Sequence, residues 1–387
     1  MEEEPGPDFL VVEDGGRFSP SYSDPREFRN HLLRRLGAAR AIAGRRAEPL
    51  DSVSDLSPAE GRRRGDRWRV LAILLDRRMS SGRLEVIIED EEGAARAIVS
   101  REAERDVLAL LPDEPAIFTL EERGRRIIVR RAEALGTAFR PGIGRRAARS
   151  YAAFLSDLHC TGEDCGLEGF VHQLTDGLLE GYVARNLGYL VVNGDLADCG
   201  CEDPRAVYRE AARVLSALPE STVKVIVPGE CDAAPSSLPQ PPLDRRFRGI
   251  LEDVPNTYLL GNPSTVLMSG LRVLIYHGQT IHRAMEALGV ARPTLAMRKL
   301  LSVRSLLPMF GPMDYAIFPG GAEGLEIHYL PNIFHAGHTH MADALKSDNM
   351  LLLSTPSWRN PRGPHVPTVA VVDLSTLDVL WRGPLPS

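Results

Sequence analysis

Aspartate and histidine recur at five places from residue 157 onward, each time just after a short apolar run. Asp157 and His159 follow Tyr151 to Leu155; Asn193, Gly194, Asp195 and Asp198 follow Tyr189 to Val192. Gly229, Glu230, Cys231 and Asp232 follow Val223 to Val227. His277 and Gly278 follow Val273 to Tyr276; His335, Gly337, His338 and His340 follow Ile333-Phe334. Carboxylates and imidazoles are the donors that suit Mn, Zn or Fe. One aspartate can bridge two cations about 3.5–4 Å apart, and such a pair generates a hydroxide nucleophile and clamps a phosphate. Glycines beside the donors allow close backbone approach. Asp-x-His and Gly-Asp are common accidents on their own, and Gly-His-x-His is more specific. The ordered set, each member at a strand end, carries the reading.

The elements that must position these residues are strands alternating with helical patterns, an α/β core. Ligands of open α/β sheets bind outside the carboxyl ends of the strands, so the five ends are expected to converge on one crevice. Asp203 caps and Pro204 opens one of the helices. Upstream, Arg67 to about Arg131 reads as five short strands: Val70 to Leu75, Leu84 to Ile88, Ala94 to Val99, Ala116 to Leu120 and Ile127 to Val129. Turns at Ser81-Gly82 and Arg123-Gly124, and a helical stretch from Glu102 to Leu111, match a small OB barrel. Its aromatics, Trp68 and Phe118, make a poor platform for stacking bases. A further helix is expected from an Asp24 cap through Phe28, Leu32, Leu33 and Leu36 to about Gly44. The expected division is an N-terminal segment 1–50 with one helix, a linker 51–66, a barrel 67–138, a linker 139–150 and the α/β unit 151–387.

The 387 residues exceed one average domain. No run approaches the length of a membrane span, and the acidic start lacks a signal pattern. The expectation is a soluble cytoplasmic protein with no membrane partner. A net charge of −6 does not advertise a nucleic-acid binder. Arginine outnumbers lysine, of which there are only Lys224, Lys299 and Lys346, along the whole chain and so marks no site. Nine of ten histidines lie between His159 and His365, and all five cysteines between Cys160 and Cys231. Metal chemistry therefore belongs to the C-terminal part.

Asp-Leu-His, Gly-Asp, His-Gly and Gly-His-Thr-His in this order resemble the calcineurin-like metallophosphoesterases. With the preceding barrel, Phe154 to His159, Val192 to Asp195, Pro239-Gln240-Pro241, Ile275 to Gly278, Pro331 to His340 and Ser354 to Trp358, residues 67 to 387 resemble the small-subunit family of archaeal family-D DNA polymerase. The resemblance implies a two-sheet α/β sandwich preceded by an OB domain. It implies a partner, the large catalytic subunit, and DNA as substrate, as primer-template and single-stranded 3′ ends. Two divalent ions are implied, manganese first, with zinc, iron or magnesium as alternatives. By position Asp157, His159 and His340 would hold one ion, Asp195 would bridge, and His277, His338 and Glu230 would hold the second, supporting 3′-to-5′ exonuclease activity.

The third motif departs from the family's Gly-Asn-His-Asp, because Glu230 and Cys231 stand where it has Asn and His. Glu230 still offers oxygen. Cys231 and Asp232 occupy the catalytic part of the motif together with Asp195, yet a thiol replaces poorly a histidine that protonates the leaving oxygen. The expectation is a site that binds metal with nuclease activity weakened or lost. A catalytically inactive scaffold and a free-standing phosphoesterase are the competing readings. Cys160, Cys165, Cys199 and Cys201 flank the first two motifs, and three states stay open for them: a Cys₄ zinc site, disulfides or free thiols. Asp198 is a candidate to orient His159, His335 a candidate supporting residue, and His282 a candidate phosphate contact. The apolar stretch Met297 to Phe310 is a weak candidate for a partner surface against core packing. His172, on a helical pattern, reads as a surface residue, and His328 and His365 as structural ones.

Overall fold

The computed structural model describes residues 8–17, 26–44, 50–56, 67–136, 150–162, 181–307, 323–347, 349–359 and 368–382. The expected Asp24 cap, Cys165, His172, Met309, Phe310 and His365 lie outside them. Strand β1 (Phe9–Asp14) comes first, then helix α1 (Arg26–Ala43). Strands β2 (Arg67–Ser80), β3 (Arg83–Glu89), β4 (Ala94–Val99), β5 (Pro115–Arg123) and β6 (Arg126–Ala134) close a barrel in the order β2-β3-β4-β6-β5. The short helix α2 (Glu104–Leu108) lies between its third and fourth strands. Trp68 and Phe118 are both inside the barrel core. Leu36, Ala39 and Ala43 of α1 pack outside it on Leu71, Ile73 and Ile117.

The remaining strands are β7 (Tyr151–Leu155), β8 (Leu187–Asn193), β9 (Val223–Val227), β10 (Thr257–Leu259), β11 (Ser264–Met268), β12 (Leu271–Tyr276), β13 (Ile333–Ala336), β14 (Asp343–Ser347), β15 (Met350–Ser354), β16 (Val369–Asp373) and β17 (Asp378–Arg382). They form two six-stranded sheets, β10-β9-β8-β7-β16-β17 and β1-β11-β12-β13-β15-β14. The motif-bearing strands are parallel neighbours: β7, β8 and β9 in one sheet, β12 and β13 in the other. Helix α3 (Gly181–Arg185) precedes β8. Helices α4 (Pro204–Leu215) and α5 (Arg245–Glu252) cover the outer face of the first sheet, and α6 (Gln279–Leu288) and α7 (Pro293–Val303) that of the second.

A strand buried on both faces has no polar side to alternate with, which is why these runs read as continuous apolar segments. On β7, Ala152 and Phe154 face the other sheet while Ala153 and Leu155 face the helices. On β12, Val273 and Ile275 point inward, and Leu274 and Tyr276 outward. Asp203 caps α4 as expected, its carboxylate accepting the Arg205 and Ala206 amides at 3.0 and 3.2 Å.

Two expectations are corrected. The segment 1–50 is not wholly separate from the α/β unit: β1 pairs antiparallel with β11 and completes the second sheet. A six-residue edge strand carries too little pattern to announce its partner. The segment 51–56 is not a loose linker either, because Val53 enters the barrel core and its amide donates to Asp90 at 2.8 Å. Of the two readings of the apolar stretch from Met297, core packing holds: Leu300, Leu301, Leu306 and Leu307 are buried beneath the second sheet.

Barrel and sandwich touch through Leu111, which joins the core around α7. The buried Glu114 also pairs with Lys299 at 2.7 Å. Phe154 fills the space between the sheets and meets the His335 ring edge-on, with centroids 4.9 Å apart. Phe154→Ala is expected to lower stability by about 3–5 kcal/mol, measured as a shifted urea midpoint with unchanged slope.

Candidate metal centre

Neighbouring parallel strands end side by side, so the loops that follow them are held together by backbone hydrogen bonds. The Asp157 amide donates to Gly194 O, the His159 amide to Asp195 O and the Cys160 amide to Leu196 O, each at 2.9 Å. In the second sheet the Gly337 amide likewise donates to His277 O at 2.7 Å. Asn193 stitches the two sheets at this end, its side-chain amide donating to Tyr276 O at 3.0 Å.

The donors sit in backbone conformations that non-glycine residues avoid. Asp157, His159, Asp195, His338 and His340 have φ of 55, 50, 53, 62 and 57°. Such left-handed residues cost about 1–3 kcal/mol each and persist where surrounding structure holds them, often at functional sites. The approach is too close for a side chain at Gly229, where an added Cβ would lie 2.2 Å from Asp195 Oδ1.

Two groups of oxygen and nitrogen donors converge. Asp157, His159 and His340 form one, with their candidate ligand atoms within 4.8 Å of one another; Asp157, Asp195 and His277 form the other, and a third group joins His159 and Asp195 with the Cys231 sulfur. His159 Nε2 and His340 Nε2 face each other at 3.2 Å, and His340 Nε2 lies 3.4 Å from Asp157 Oδ1. Asp157 belongs to both groups, and Asp195 lies within reach of His159 as well as His277, so both carboxylates stand where a shared ligand is needed. His338 stands beside them, its ring 5.3 Å from that of His277 and its amide donating to Asp157 Oδ2 at 2.9 Å. Glu230 is at the rim, 4.0 Å from His338 Nδ1. These two are neighbours of the donor groups rather than members.

His277 supplies the strongest sign of what belongs there. Its Nδ1 is 2.9 Å from Asn193 O, and only an N–H can face a carbonyl, so in the neutral ring the lone pair is on Nε2. That atom is buried without a hydrogen-bond partner, 3.4 Å from Asp195 Oδ2 and 4.0 Å from Asp157 Oδ1. A lone pair aimed at two carboxylates needs a proton or a cation between them. Burial pulls the His277 pKa down, but Asp195 and Asp157 outweigh it and raise it to about 10. A bound cation would displace that proton. Burial pushes the Asp157 and Asp195 carboxyls up, yet His340 and His277 at the first, and His277 and the Cys231 amide at the second, hold both below the ordinary range. Burial and the neighbouring His277 lower His338 to about 4, leaving its ring neutral and able to donate a lone pair. The donor set fits a pair of divalent cations.

Supporting contacts fix the donors. Asp198 Oδ2 is 3.8 Å from His159 Nδ1 and accepts a hydrogen bond from Arg359. Ser156 Oγ, Thr355 Oγ1 and His335 Nε2 form a buried chain beneath Asp157, with steps of 2.7 and 2.9 Å. Gln240 of the Pro-Gln-Pro stretch donates to Gly229 O at 3.0 Å and accepts from Asn262 and Gln279. Asn262 in turn accepts the His277 amide at 2.9 Å. Sequence reasoning missed Asn262, Gln279 and Arg359, because lone amides and arginines carry no spacing signal; Gln240 and Thr355 were visible only as parts of the Pro-Gln-Pro and Ser354–Trp358 stretches. His282 is exposed and pairs with Glu286, away from the donors. His328 is exposed as well.

Two expectations for the third motif fail. Cys231 is bonded to Cys199, with Cα atoms 4.3 Å apart, so its sulfur has no proton to give. The same bridge takes Cys199 out of the candidate four-cysteine zinc site: the loops after β8 and β9 are adjacent, and Cys199 finds its partner there. Cys160 is buried in the helix-facing core and Cys201 contacts Thr161 O. Asp232 is not positioned for chemistry. It is buried and accepts the Gly229 and Ala197 amides at 2.9 and 3.0 Å and the Tyr208 hydroxyl at 3.2 Å; burial and Asp195 raise its pKa. It shapes the loop.

Known proteins are similar to this chain along most of its length. A family model for the B subunits of DNA polymerases alpha and epsilon matches residues 202–343. The DNA polymerase II small subunit of Pyrococcus furiosus is 25% identical over 363 residues, which is 86% of this chain and 59% of that protein. The protein of the same name from Methanocaldococcus jannaschii is 32% identical over 289 residues, 67% of this chain and 48% of that one. For Methanothermobacter thermautotrophicus the figures are 25% over 386 residues, 91% and 77%. The chain thus spans about half to three quarters of the length of these relatives. Among solved structures, a novel archaeal phosphodiesterase is 12% identical and covers 60% of this chain and 99% of its own, at a TM-score of 0.34. The phosphoesterase Yfce from E. coli is 14% identical, covers 59% and 96%, and scores 0.31. The resemblance to archaeal DNA polymerase II small subunits read from the motifs is borne out in sequence over most of the chain.

Gly229→Ala is expected to push Asp195 aside and weaken divalent-cation binding at least ~10-fold by calorimetry, with an unchanged far-ultraviolet spectrum. Asp198→Ala, which removes the carboxylate facing His159 Nδ1, is expected to weaken it about 10–100-fold.

Proposed function

From kinship with the archaeal DNA polymerase II small subunits, we propose that this chain is the small subunit of a family-D replicative polymerase. It supports synthesis by a large catalytic subunit in the cytoplasm and carries a dinuclear phosphodiesterase site for single-stranded 3′ ends. The observation that carries the hydrolytic part is the buried Nε2 of His277 facing two ionised carboxylates. Among the described residues no helix is long and apolar enough to cross a membrane.

Two divalent ions, when bound, supply a hydroxide nucleophile and clamp the scissile phosphate. Manganese suits an oxygen and nitrogen donor set, as do iron and zinc. Asp157, His159 and His340 would hold one ion and Asp195 and His277 the other, with Asp157 and Asp195 between them. His338 and Glu230, beside these groups at the half-open rim, would complete the second ion's shell. Asn193 and Asp198 keep the imidazoles of His277 and His159 in register. Arg359, half exposed and tied to Asp198, lies at the rim where a phosphate of the incoming strand would approach.

The weak point of the hydrolytic cycle is protonation of the leaving oxygen. Cys231 is in a disulfide, and Asp232 is committed to its loop. Loss of a general acid lowers a rate by about 10²–10⁴, so the nuclease is slow. The inactive-scaffold reading is favoured by that same bridge and by the barrel. We read the barrel as an OB unit, residues 67–138, whose aromatics are interior. With none at its surface among the described residues, contact with the large subunit suits it better than base stacking.

The test is manganese-dependent digestion of 3′-labelled single-stranded DNA by the purified subunit, alone and with its large partner. Slow digestion abolished by Asp195→Ala is expected. The double variant Cys199→Ser/Cys231→His is expected to accelerate it by about 10²-fold. Digestion that survives Asp195→Ala would contradict the site, and silence from both native and double variant would leave the scaffold reading.

A further inference from the structure

The disulfide does more than remove an acid, because it ties up a sulfur at the edge of the donor cluster. Cys231 Sγ lies with the candidate ligand atoms of His159 and Asp195 in one group, all within 4.8 Å of one another. Its backbone amide is fixed at 2.9 Å from Asp195 Oδ1, so the residue stays beside Asp195 whatever the state of its sulfur. Cys199 is four positions after Asp195, on the loop that also carries Asp198, the neighbour of His159. A sulfur in a disulfide is neutral and a poor ligand, whereas a thiolate is a strong, soft one.

We propose that Cys231 is a masked metal ligand, released when the Cys199–Cys231 bridge is reduced and then joining His159 and Asp195 around a thiophilic cation such as Zn²⁺. The inference rests on the metal-centre reading above. The balance is simple. A dithiol or a phosphine supplies two electrons, the S–S bond breaks, and each sulfur takes a proton. On metal binding the Cys231 thiol releases its proton to solvent and its sulfur forms the metal bond, while Cys199 remains a thiol. The oxidised centre offers only oxygen and nitrogen, which suits Mn²⁺. The reduced centre adds sulfur, which favours Zn²⁺ or Co²⁺. The bridge therefore selects which metal the site prefers.

Cobalt is the probe, because its visible d–d bands report any binding and its near-ultraviolet charge-transfer band reports a thiolate. The native chain, purified without reductant, is expected to show two cysteines protected from alkylation by mass, and d–d bands alone with Co²⁺. A phosphine reductant is expected to bring up the thiolate band and to raise the preference for Zn²⁺ over Mn²⁺ at least ~10-fold. Cys199→Ser should show that band without reductant, and Cys231→Ser should lack it in either state while keeping the d–d bands. The reduced native chain serves if Cys199→Ser does not fold. Two results overturn the inference: d–d bands without a thiolate band after reduction, or a thiolate band that survives Cys231→Ser. The absence of protected cysteines overturns the bridge itself. Absence of d–d bands in every variant sinks the metal-centre reading instead.

Discussion

Two ionised carboxylates held out of water in front of a histidine lone pair are the constraint around which this molecule is built. Asp157 and Asp195 lie at the ends of adjacent strands, and both are nearly inaccessible to solvent. At such separations two negative charges repel by roughly 3–4 kcal/mol at an effective dielectric of about 20. Without positive charge between them the arrangement would relax or take up protons. Instead the His277 ring is pinned by Asn193 so that its free nitrogen points at both, and the surrounding backbone accepts five left-handed residues. That much local cost is sustained only by a fold that holds the loops from several sides.

The two sheets provide that hold. Three strand ends come from one sheet and two from the other, and Asn193 crosses between them directly under the centre. The chain of Ser156, Thr355 and His335 supports Asp157 from below, and the Gln240, Asn262 and Gln279 amides support His277 and the third-motif loop. These groups are buried and satisfied, so they define one arrangement rather than several. The helices on the outer faces and the large apolar residues between the sheets supply the stability that the strained loops draw on.

Much of this was legible in the sequence, and for physical reasons. Continuous apolar runs mark strands buried on both faces, and the polar residues just beyond them stand out because everything before them is apolar. Asp157, His159, Asp195, His277 and His340 could therefore be named in advance. What could not be read was whatever depends on contacts between distant segments with little pattern of their own. The edge strand at Phe9, the amides at Asn262 and Gln279, and Arg359 are of this kind. The cysteines show the limit most clearly. Spacing grouped Cys199 with Cys160, Cys165 and Cys201, whereas adjacency of the loops after β8 and β9 joins Cys199 to Cys231. That join changes the chemistry available to the third motif.

A crystal structure of the manganese-soaked protein, with anomalous scattering recorded at the metal edge, tests the central claim most directly. The account expects two peaks about 3.5–4 Å apart, one among Asp157, His159 and His340 and the other against Asp195 and His277, with His277 bound through Nε2. A structure with no peak in the cluster, or with the His277 ring turned so that Nε2 faces away from Asp195, would contradict it.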